Sequence, residues 1–347
     1  MGICISSESS AIHGAPEEAR DETVLVFEAT KVLSELSSAY SKQGSKGINQ
    51  DAATLCQVYG TENTTFCGVF DGHGRNGHVV SKIVNSRLCS LILNQKKVHA
   101  KIEKKNIINN VDVVEDDSSA PPLNKNFQEW KEGILDGFRV MDKEVKLQEN
   151  LDCSCSGTTA VVIIRQGEDL VIANLGDSRA ILGTISDGEI MPIQLTTDMK
   201  PGLPCEAERI KSCNGRVFAL KEEPHIQRVW LPNENSPGLA MSRAFGDFML
   251  KDHGIIAIPD ISHRTLTSSD QFIVLASDGV WDVLSNKEVS SIVWAAGSEN
   301  EAARAVVEAS ALAWKNKYPS SKPDDCTVVC LFLQKKPQFL PFKSGNP

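Results

Sequence analysis

The sequence lacks the long apolar runs and the excess of basic residues that two large classes of protein require. Over its 347 residues, no apolar stretch approaches the ~18 to 20 residues that a helix needs to span a bilayer. Its 36 Lys and Arg residues are outnumbered by 45 Asp and Glu residues, which gives a net charge of −9. Because nucleic-acid-binding proteins present a basic face to the phosphate backbone, this charge argues against nucleic acid as a partner. The composition predicts a soluble folded body.

Several signatures of redox and catalytic proteins are also missing. No secretory signal peptide accompanies the ten cysteines, so we expect free thiols in a reducing compartment rather than a disulfide framework. No cysteine is followed, after five intervening residues, by the arginine of a cysteine-nucleophile phosphatase, and the phosphate-binding pattern G-x-x-x-x-G-K does not occur. These absences disfavour cysteine-based phosphate chemistry and nucleotide transfer.

Composition divides the chain into an arm, a folded domain and a tail. Residues 1–22 are rich in Ser, Glu and Ala without sustained periodicity, which predicts a mobile arm. Residues 23–335 form the predicted catalytic domain, and residues 336–347 form a C-terminal tail. Within the domain, the polar segment at about 96–126 predicts a loop insertion, and the Pro-, Gly- and charge-rich segment at about 199–247 predicts a surface flap.

Short apolar segments and amphipathic helices occupy separate blocks of the domain. The stretch "SCSGTTAVVIIRQGEDLVIANLGDSRAILG" predicts strands joined by turns that are too short for crossover helices, which requires antiparallel pairing. Helical periodicity is found elsewhere, for example in "FQEWKEGILDGFRVMDKEV". This arrangement predicts an α+β fold with antiparallel sheets at the centre and helices outside.

Four strand-like segments have an acidic residue at one end. In "FCGVFDGHGRNGH" the apolar run ends in Asp71, Gly72 and His73. An isolated Asp-Gly pair is most simply explained as a tight turn, because both residues favour turns. The pattern recurs, however, at three further acids, which are Asp177, Asp278 and Asp324. If these strand ends meet in space, they form a negative cluster that needs cations to be stable.

The chemistry of such a cluster follows from its donor atoms. Oxygen ligands without nitrogen or sulfur select hard cations, here Mg²⁺ or Mn²⁺. Asp282 lies four residues after Asp278, so one helical turn would place both acids on one side. Two ions ~3.5 to 4 Å apart acidify a water and deliver hydroxide for in-line attack on phosphorus. His73 would protonate the leaving oxygen, and together these residues predict hydrolysis of a phosphate ester.

The motifs that carry these residues resemble those of the type 2C family of metal-dependent serine/threonine protein phosphatases. In the family's order, between about residues 40 and 335, they are "KGINQDA", "DGHG", "SGTTA", "NLGDSRA", "GLAMSRAFGD", "ASDGVWDV" and "DDCTVV". The stretch that begins "KPGLPCEAERIKSC" and ends at "AFGD" resembles the plant members in particular. Any one motif is weak alone, whereas the ordered set argues strongly against chance agreement.

The resemblance implies both a fold and a reaction. The fold is a four-layer α-β-β-α sandwich, with two central antiparallel sheets flanked by helices and with metals at one end. The reaction is hydrolysis of phosphoserine and phosphothreonine in phosphoprotein substrates by a metal-bridged hydroxide. The resemblance further implies at least two Mg²⁺ or Mn²⁺ ions per chain and a monomeric enzyme.

The same resemblance implies roles for individual residues. The Asp71 carboxylate would bridge two ions, and the Gly72 carbonyl would bind one of them. Asp278 and Asp324 would complete this pair of sites. His73 matches the proposed general acid. The acids associated with a third, weaker metal site are matched by Asp177 and Asp282.

Two positions depart from the pattern of the animal members, and a third falls where the family often has another residue. Lys46 stands where animal members have the Arg that binds the substrate phosphate, so a bidentate fork becomes a point charge. Gln50 stands where a Glu orients metal-bound water, although Asp51 is retained. Asp325 stands where the family often has Asn, so the first acid of "DDCT", Asp324, is the predicted ligand.

Two functions are compatible with this pattern. The chain is either an active phosphatase or a pseudophosphatase, which would bind a partner on the same fold without turnover. The retained acids Asp71, Asp278 and Asp324 favour the enzyme. Plant members that act as hormone co-receptors carry a tryptophan in the flap, within a stretch that "GRVFALKEE" matches here. Because this stretch contains no tryptophan, the co-receptor role is disfavoured.

The first residues predict attachment to a membrane. "MGICIS" matches the N-myristoylation pattern M-G-x-x-x-[ST], with the acyl chain on Gly2, although so short a pattern also arises by chance. Cys4 is a candidate for palmitoylation beside it. One myristoyl chain binds membranes with a constant of only about 10⁴ M⁻¹, whereas two chains anchor stably. We therefore expect peripheral association with the cytoplasmic face of the plasma membrane, and a cytosolic and nuclear pool of protein that is not lipidated.

Overall fold

The computed structural model describes residues 24–27, 36–109 and 125–335, so the predicted arm at 1–22 and tail at 336–347 lie outside the described residues. The strands are β1 (Val24–Phe27), β2 (Ser37–Lys42), β3 (Ala52–Cys56), β4 (Thr64–Phe70), β5 (Gly72–His73), β6 (Gly157–Thr158), β7 (Ala160–Gln166), β8 (Asp169–Leu175), β9 (Arg179–Ser186), β10 (Glu189–Gln194), β11 (Arg216–Ala219), β12 (Gln227–Trp230), β13 (Pro237–Leu239), β14 (Phe245–Gly246), β15 (Asp260–Thr265), β16 (Asp270–Ala276) and β17 (Cys326–Phe332). The α-helices are α1 (Gly77–Asn109), α2 (Lys125–Lys146), α3 (Pro204–Ser212), α4 (Phe248–Lys251), α5 (Asp278–Trp281), α6 (Asn286–Ala295) and α7 (Ala302–Lys317).

Two large β-sheets form the centre of the domain. The first sheet has six strands in the order β1-β3-β4-β7-β8-β15, and the second has five in the order β10-β9-β16-β17-β2. Neighbouring strands are antiparallel, as predicted, with the exception of β1, which runs parallel to β3. Two smaller sheets, β11-β12-β13 and β14-β6-β5, complete the described set.

Strand β4 shows how a central strand is buried on both of its faces. Successive side chains of a strand point to opposite faces of the sheet. Phe66 and Phe70 pack in a core with residues of α1 and α2, whereas Cys67 and Val69 pack against residues of the second sheet. All four side chains are 0% exposed. Because both faces are covered, the strand is a continuous apolar run rather than an alternation of apolar and polar residues.

Strand β16 divides its side chains in the same way. Phe272 and Val274 pack with residues of α6 and α7, whereas Ile273 and Leu275 join the core between the two sheets. The layers are therefore α1 with α2, the first sheet, the second sheet, and α6 with α7. This order confirms the predicted four-layer α-β-β-α sandwich.

The predicted loop at about 96–126 is wrong in its first part, because α1 continues as a helix to Asn109. Lys96 and His99 in this half of α1 contact partners on α2. The Lys96 ammonium lies 3.9 Å from the centre of the Trp130 ring and 3.7 Å from the Glu129 carboxylate. Lys96, at the start of the segment for which the sequence predicts a loop, therefore belongs to a helix pair. No helix in the described part of the chain has the length and apolar character needed to cross a membrane.

The flap has a small core of its own. Helix α3 lies near the start of this segment, and strands β11 to β13 form a small sheet within it. The core extends beyond the predicted end of the flap at residue 247 and consists of Ile210, Val229, Leu239, Met241, Ala244, Leu250 and Ile255.

A buried carboxylate ties the flap together. Glu206 of α3 has a side chain that is 4% exposed. Its carboxylate accepts hydrogen bonds from Arg209 at 2.6 and 2.8 Å, from Arg243 at 2.7 and 3.0 Å, and from the Ser242 hydroxyl at 2.5 Å. Although burial raises the pKa of Glu206, the hydrogen bonds from Arg243, Arg209 and Ser242 lower it to about 2. Folding therefore stabilises the ionised form of this side chain.

Replacing Glu206 by Gln is expected to lower the free energy of unfolding by about 3 kcal/mol at neutral pH. The pKa of Glu206 is lower in the folded chain than its ordinary value of 4.5, so its stabilisation is complete above that value and is lost as the pH falls toward about 2. Urea denaturation at a series of pH values should show the difference between wild type and variant shrinking as the pH falls through this range. The exposed Glu208→Gln on the same helix is the control, and a pH-independent difference for Glu206→Gln would contradict the assignment.

Candidate active site

The four predicted acids come together at one end of the sandwich. Asp71 directly follows β4, Asp177 follows β8, Asp278 begins α5 just after β16, and Asp324 precedes β17. The Asp71 carboxyl interacts electrostatically with the carboxyls of the other three. The structure therefore confirms that these strand ends meet.

Burial and mutual repulsion make this cluster unfavourable as free carboxylates. Burial raises the pKa of Asp71 well above its usual range, and Asp278, Asp51, Asp324 and Asp177 raise it further. Burial likewise raises the pKa of Asp278 to about 8, and neighbouring acids add to the effect. Within the described residues, no hydrogen bond is donated to the carboxylate of Asp71 or of Asp278. A cation that binds among these acids would therefore favour their ionised form.

Glycines allow the backbone segments of the site to approach closely. A Cβ atom at Gly72 would lie 2.5 Å from the Gly77 carbonyl oxygen and 2.6 Å from that of Gln50. At Gly279 it would lie 1.9 Å from the Asp325 carbonyl oxygen. These distances exclude any side chain, so close packing explains why glycine follows the acid in both Asp-Gly pairs. The metal contact predicted for the Gly72 carbonyl is a separate reason.

Asp278 and Asp282 lie on either end of the single turn α5. The Asp282 amide donates a hydrogen bond to the Asp278 carbonyl at 2.9 Å, which is the i to i+4 bond of an α-helix. The two acids therefore share one face, as predicted. The indole of Trp314 on α7 donates to the Gly279 carbonyl at 2.7 Å and fixes the turn against the helical layer.

Lys46 lies at the edge of the acid cluster. Its ammonium group contacts the Asp324 carboxylate, and its side chain is 26% exposed. Although burial lowers the pKa of Lys46, the carboxyls of Asp324, Asp278 and Asp71 more than offset this and raise it. Lys46 therefore supplies a permanent positive charge at the mouth of the site.

The second acid of the "DDCT" motif has a structural role. The Asp325 carboxylate accepts hydrogen bonds from the backbone amides of Gly44 at 2.7 Å and Gln50 at 2.8 Å. It thereby clamps the loop that carries Lys46 and Gln50. This commitment to the backbone supports the choice of Asp324, rather than Asp325, as the candidate ligand.

Gln50 and Asp51 are both held by hydrogen bonds beside the cluster. The Gln50 amide group donates to the Gly74 carbonyl at 3.0 Å, while its Oε1 atom is buried with no hydrogen-bond partner in the described chain. Asp51 is buried and accepts a hydrogen bond from the Ser277 hydroxyl at 2.7 Å. Gln50 thus keeps an unpaired acceptor atom at the position where the family resemblance implies a Glu.

Asp247, which no sequence motif singled out as a site residue, pairs with His73. The His73 Nε2 atom lies 2.6 Å from the Asp247 carboxylate, and the two side chains are 10% and 1% exposed. Burial lowers the pKa of His73, but the Asp247 carboxylate more than offsets this effect, so the pKa lies above its ordinary value. The Nδ1 atom of His73 is buried without a hydrogen-bond partner among the described residues. Asp247 is the last residue of the "AFGD" motif, but its pairing with His73 is a contact across 174 residues that the sequence does not show.

Lys200 is a second residue that the sequence analysis missed. Its ammonium group contacts the carboxylate of Asp177 and interacts electrostatically with Asp278 and Asp282. The "DMK" segment that contains it has no recognisable chemical pattern. The site therefore holds a protein cation from the flap as well as Lys46.

The donor set fits a hard divalent ion that keeps part of its water shell. Within the described residues, no three acidic, His or Cys side chains form a ready ligand group around one point. Mg²⁺ commonly binds through one or two carboxylates and several waters, so a closed protein cage is not required. The oxygen-only donors and the carboxylates without hydrogen-bond donors agree with such an ion.

Comparison with known proteins gives a consistent family. The family model "Protein phosphatase 2C" matches residues 38–316. "Probable protein phosphatase 2C 72" of Arabidopsis thaliana is 52% identical over 97% of this chain and 99% of that protein. "Probable protein phosphatase 2C 12" of Oryza sativa subsp. japonica is 46% identical over 96% and 92%. The crystal structure of serine-threonine phosphatase 2C from Toxoplasma gondii aligns with a TM-score of 0.70 and 25% identity over 85% of this chain and 94% of that one.

A two-sheet sandwich with an acid cluster at one end is thus the architecture of a phosphatase. The chain belongs to the protein phosphatase 2C family. It is a protein serine/threonine phosphatase, as the sequence predicted, and its resemblance to plant members is confirmed.

Proposed function

We propose that the chain hydrolyses phosphoserine and phosphothreonine in proteins at a centre that holds at least two Mg²⁺ or Mn²⁺ ions. One observation carries this proposal. The carboxylates of Asp71 and Asp278 are placed in each other's electrostatic field, and neither receives a hydrogen bond within the described residues. Carboxylate oxygens that receive no hydrogen bond remain available as ligands for hard cations.

The proposed ligands all belong to the acid cluster and the turn beside it. The ligands of the two principal ions are Asp71, the Gly72 carbonyl, Asp278 and Asp324. A third and weaker position is assigned to Asp177 and Asp282. When bound, such ions acidify a water and neutralise charge that develops on the phosphate.

Three other side chains have proposed roles toward the substrate. Lys46, a partly exposed cation beside Asp324, attracts the phosphate as a point charge. Gln50 offers its unpartnered Oε1 atom to a water. His73 donates a proton to the leaving oxygen, and the Asp247 carboxylate orients its ring.

Hydrolysis of a phosphoserine peptide tests this function against binding without turnover. Purified full-length protein should release phosphate with Mg²⁺ or Mn²⁺, lose this activity with excess chelator, and regain it when the metal is restored. A protein that binds the peptide but releases no phosphate in any metal would be a pseudophosphatase. Activity that persists through exhaustive chelation would refute the metal centre.

Replacing His73 by Ala is expected to affect substrates according to their leaving groups. Loss of a general acid costs roughly 10² to 10⁴ in rate where the leaving oxygen must be protonated, and far less where it need not be. The phosphoserine peptide should therefore lose much more turnover than an aryl phosphate. His78→Ala on the neighbouring turn is the matched control. Equal losses on both substrates would assign His73 to packing or metal orientation instead.

We also propose that the enzyme is tethered to the cytoplasmic face of the plasma membrane through lipid on Gly2 and Cys4. Both residues lie outside the described part of the chain, so the support is the "MGICIS" pattern alone. The net charge of −9 gives the protein no general attraction to anionic lipids, which makes a second acyl chain necessary for stable attachment.

A further inference from the structure

The acid group around Asp177 already contains a cation from the protein itself. The Lys200 ammonium contacts one carboxylate oxygen of Asp177, whose side chain is 1% exposed. Lys200 also interacts electrostatically with Asp278 and Asp282. Three acids and one lysine thus share this corner of the site.

The second carboxylate oxygen of Asp177 receives no hydrogen bond from the described residues. Its Oδ1 atom is buried and has no hydrogen-bond partner in the described chain. Buried carboxylate oxygens are nearly always satisfied by a donor, a water or a cation. Lys200 therefore neutralises Asp177 without using all of its ligand capacity.

The backbone around Lys200 is fixed, whereas its side chain reaches solvent. The amide of Met199 donates to the Gly176 carbonyl at 2.9 Å, and the Ser242 hydroxyl donates to the Met199 carbonyl at 2.8 Å. The Lys200 side chain itself is 42% exposed. A flexible four-carbon stem on a fixed anchor gives its ammonium group a path out to water.

We propose that Lys200 is a displaceable counter-cation for the Asp177 position. Its ammonium group neutralises the acids while no divalent ion is bound there, and a divalent ion enters only by displacing it. The inference rests on the proposed metal centre. It assigns the weakness of the third position to competition from the chain, rather than to a poor set of ligands.

The competition is electrostatic in origin. A divalent ion that binds at Asp177 is repelled by the lysine charge a few ångström away and must also break its contact with the carboxylate. Removing the charge is therefore expected to tighten binding of the weakest ion at least about tenfold, since Coulomb energies at such distances are several kcal/mol at protein surfaces. Lys200→Gln removes the charge, and Lys200→Arg keeps it.

Direct counting of bound Mn²⁺ tests the proposal. Electron paramagnetic resonance of free Mn²⁺ should give a titration for full-length wild type, Lys200→Gln, Lys200→Arg and the exposed flap control Lys211→Gln. We expect the weakest Mn²⁺ to bind at least about tenfold tighter to Lys200→Gln, with Lys200→Arg and Lys211→Gln close to wild type. In an Asp177→Asn background, Lys200→Gln should bring much less gain.

The outcomes separate this inference from the proposed metal centre. If wild type binds no Mn²⁺ at all, the metal centre itself is wrong. If wild type binds at least two ions but Lys200→Gln leaves the weakest affinity unchanged, or Lys200→Arg matches Lys200→Gln, the displacement idea is overturned. Thermal melting with and without Mn²⁺ guards against misfolding, because a folded Lys200→Gln should gain more stability from Mn²⁺ than wild type does.

Discussion

Asp71→Asn and Asp278→Asn are each expected to reduce phosphatase activity by about a thousandfold or more, because each removes a proposed ligand of the ions that would activate the water. Asn has nearly the same shape as Asp, so the backbone packing around Gly72 and Gly279 should survive. The measurement is phosphate release from a phosphoserine peptide at limiting Mn²⁺. Added metal should restore at most part of the activity.

The same substitutions should raise the stability of the metal-free protein, although they lower its activity. Burial and the neighbouring acids hold the pKa of Asp71 well above its usual range, so a neutral side chain relieves repulsion in the metal-free protein. Asp71→Asn should therefore melt at a higher temperature than wild type in chelator, and should gain less from Mn²⁺. Asp187→Asn, in the exposed turn between β9 and β10, is the control. Near-normal turnover by both site variants at limiting Mn²⁺ would show that the site is misplaced.

Gly2→Ala is expected to move essentially all of the protein from the cell periphery to the cytosol and nucleus. Myristoylation requires Gly2 at the exposed amino terminus, and palmitoylation of Cys4 would follow only after the first acyl chain brings the chain to a membrane. The measurement is the location of a fusion with its tag at the C-terminus, together with incorporation of a labelled fatty acid.

Cys4→Ser separates the contributions of the two lipids. This variant should remain myristoylated but be held only loosely, on internal membranes, because a single myristoyl chain binds with a constant of about 10⁴ M⁻¹. A Gly2→Ala fusion that still lines the cell periphery would disprove the lipid anchor. The phosphatase activity, which belongs to the folded domain, would be unaffected by that result.

The sequence predicted central sheets with helices outside because burial leaves a clear signal, whereas the four-layer order came from the family resemblance. Strands such as β4 and β16 are covered on both faces and therefore appear as uninterrupted apolar runs that end in an acid. The sequence pattern failed where contacts with another element determine the conformation. The second half of α1 is polar, and only the facing residues of α2, such as Trp130 beneath Lys96, show why it is helical. The parallel pairing of β1 depends in the same way on a neighbour.

The candidate site shows the same limit. Motif order was enough to find Asp71, Asp278 and Asp324, since each follows or precedes a strand. The partners that set their environment come from elsewhere in the chain. Asp247 reaches His73 across 174 residues, and Lys200 reaches an acid that lies on a different element. Local patterns contain no information about such contacts, which arise only when the flap folds back over the strand ends.

The position of β17 has a consequence for folding of the enzyme during its synthesis. In the second sheet β17 lies between β16 and β2, so it is an inner strand that joins an early part of the chain to a late one. During synthesis β2 leaves the ribosome near the beginning and, among the described strands, has no sheet neighbour until β17 follows. Asp324 and the Asp325 clamp arrive with that same final segment. Under the proposed ligand set, a nascent chain carries the other acids without an assembled centre, and catalysis is expected to begin only after β17 has been translated.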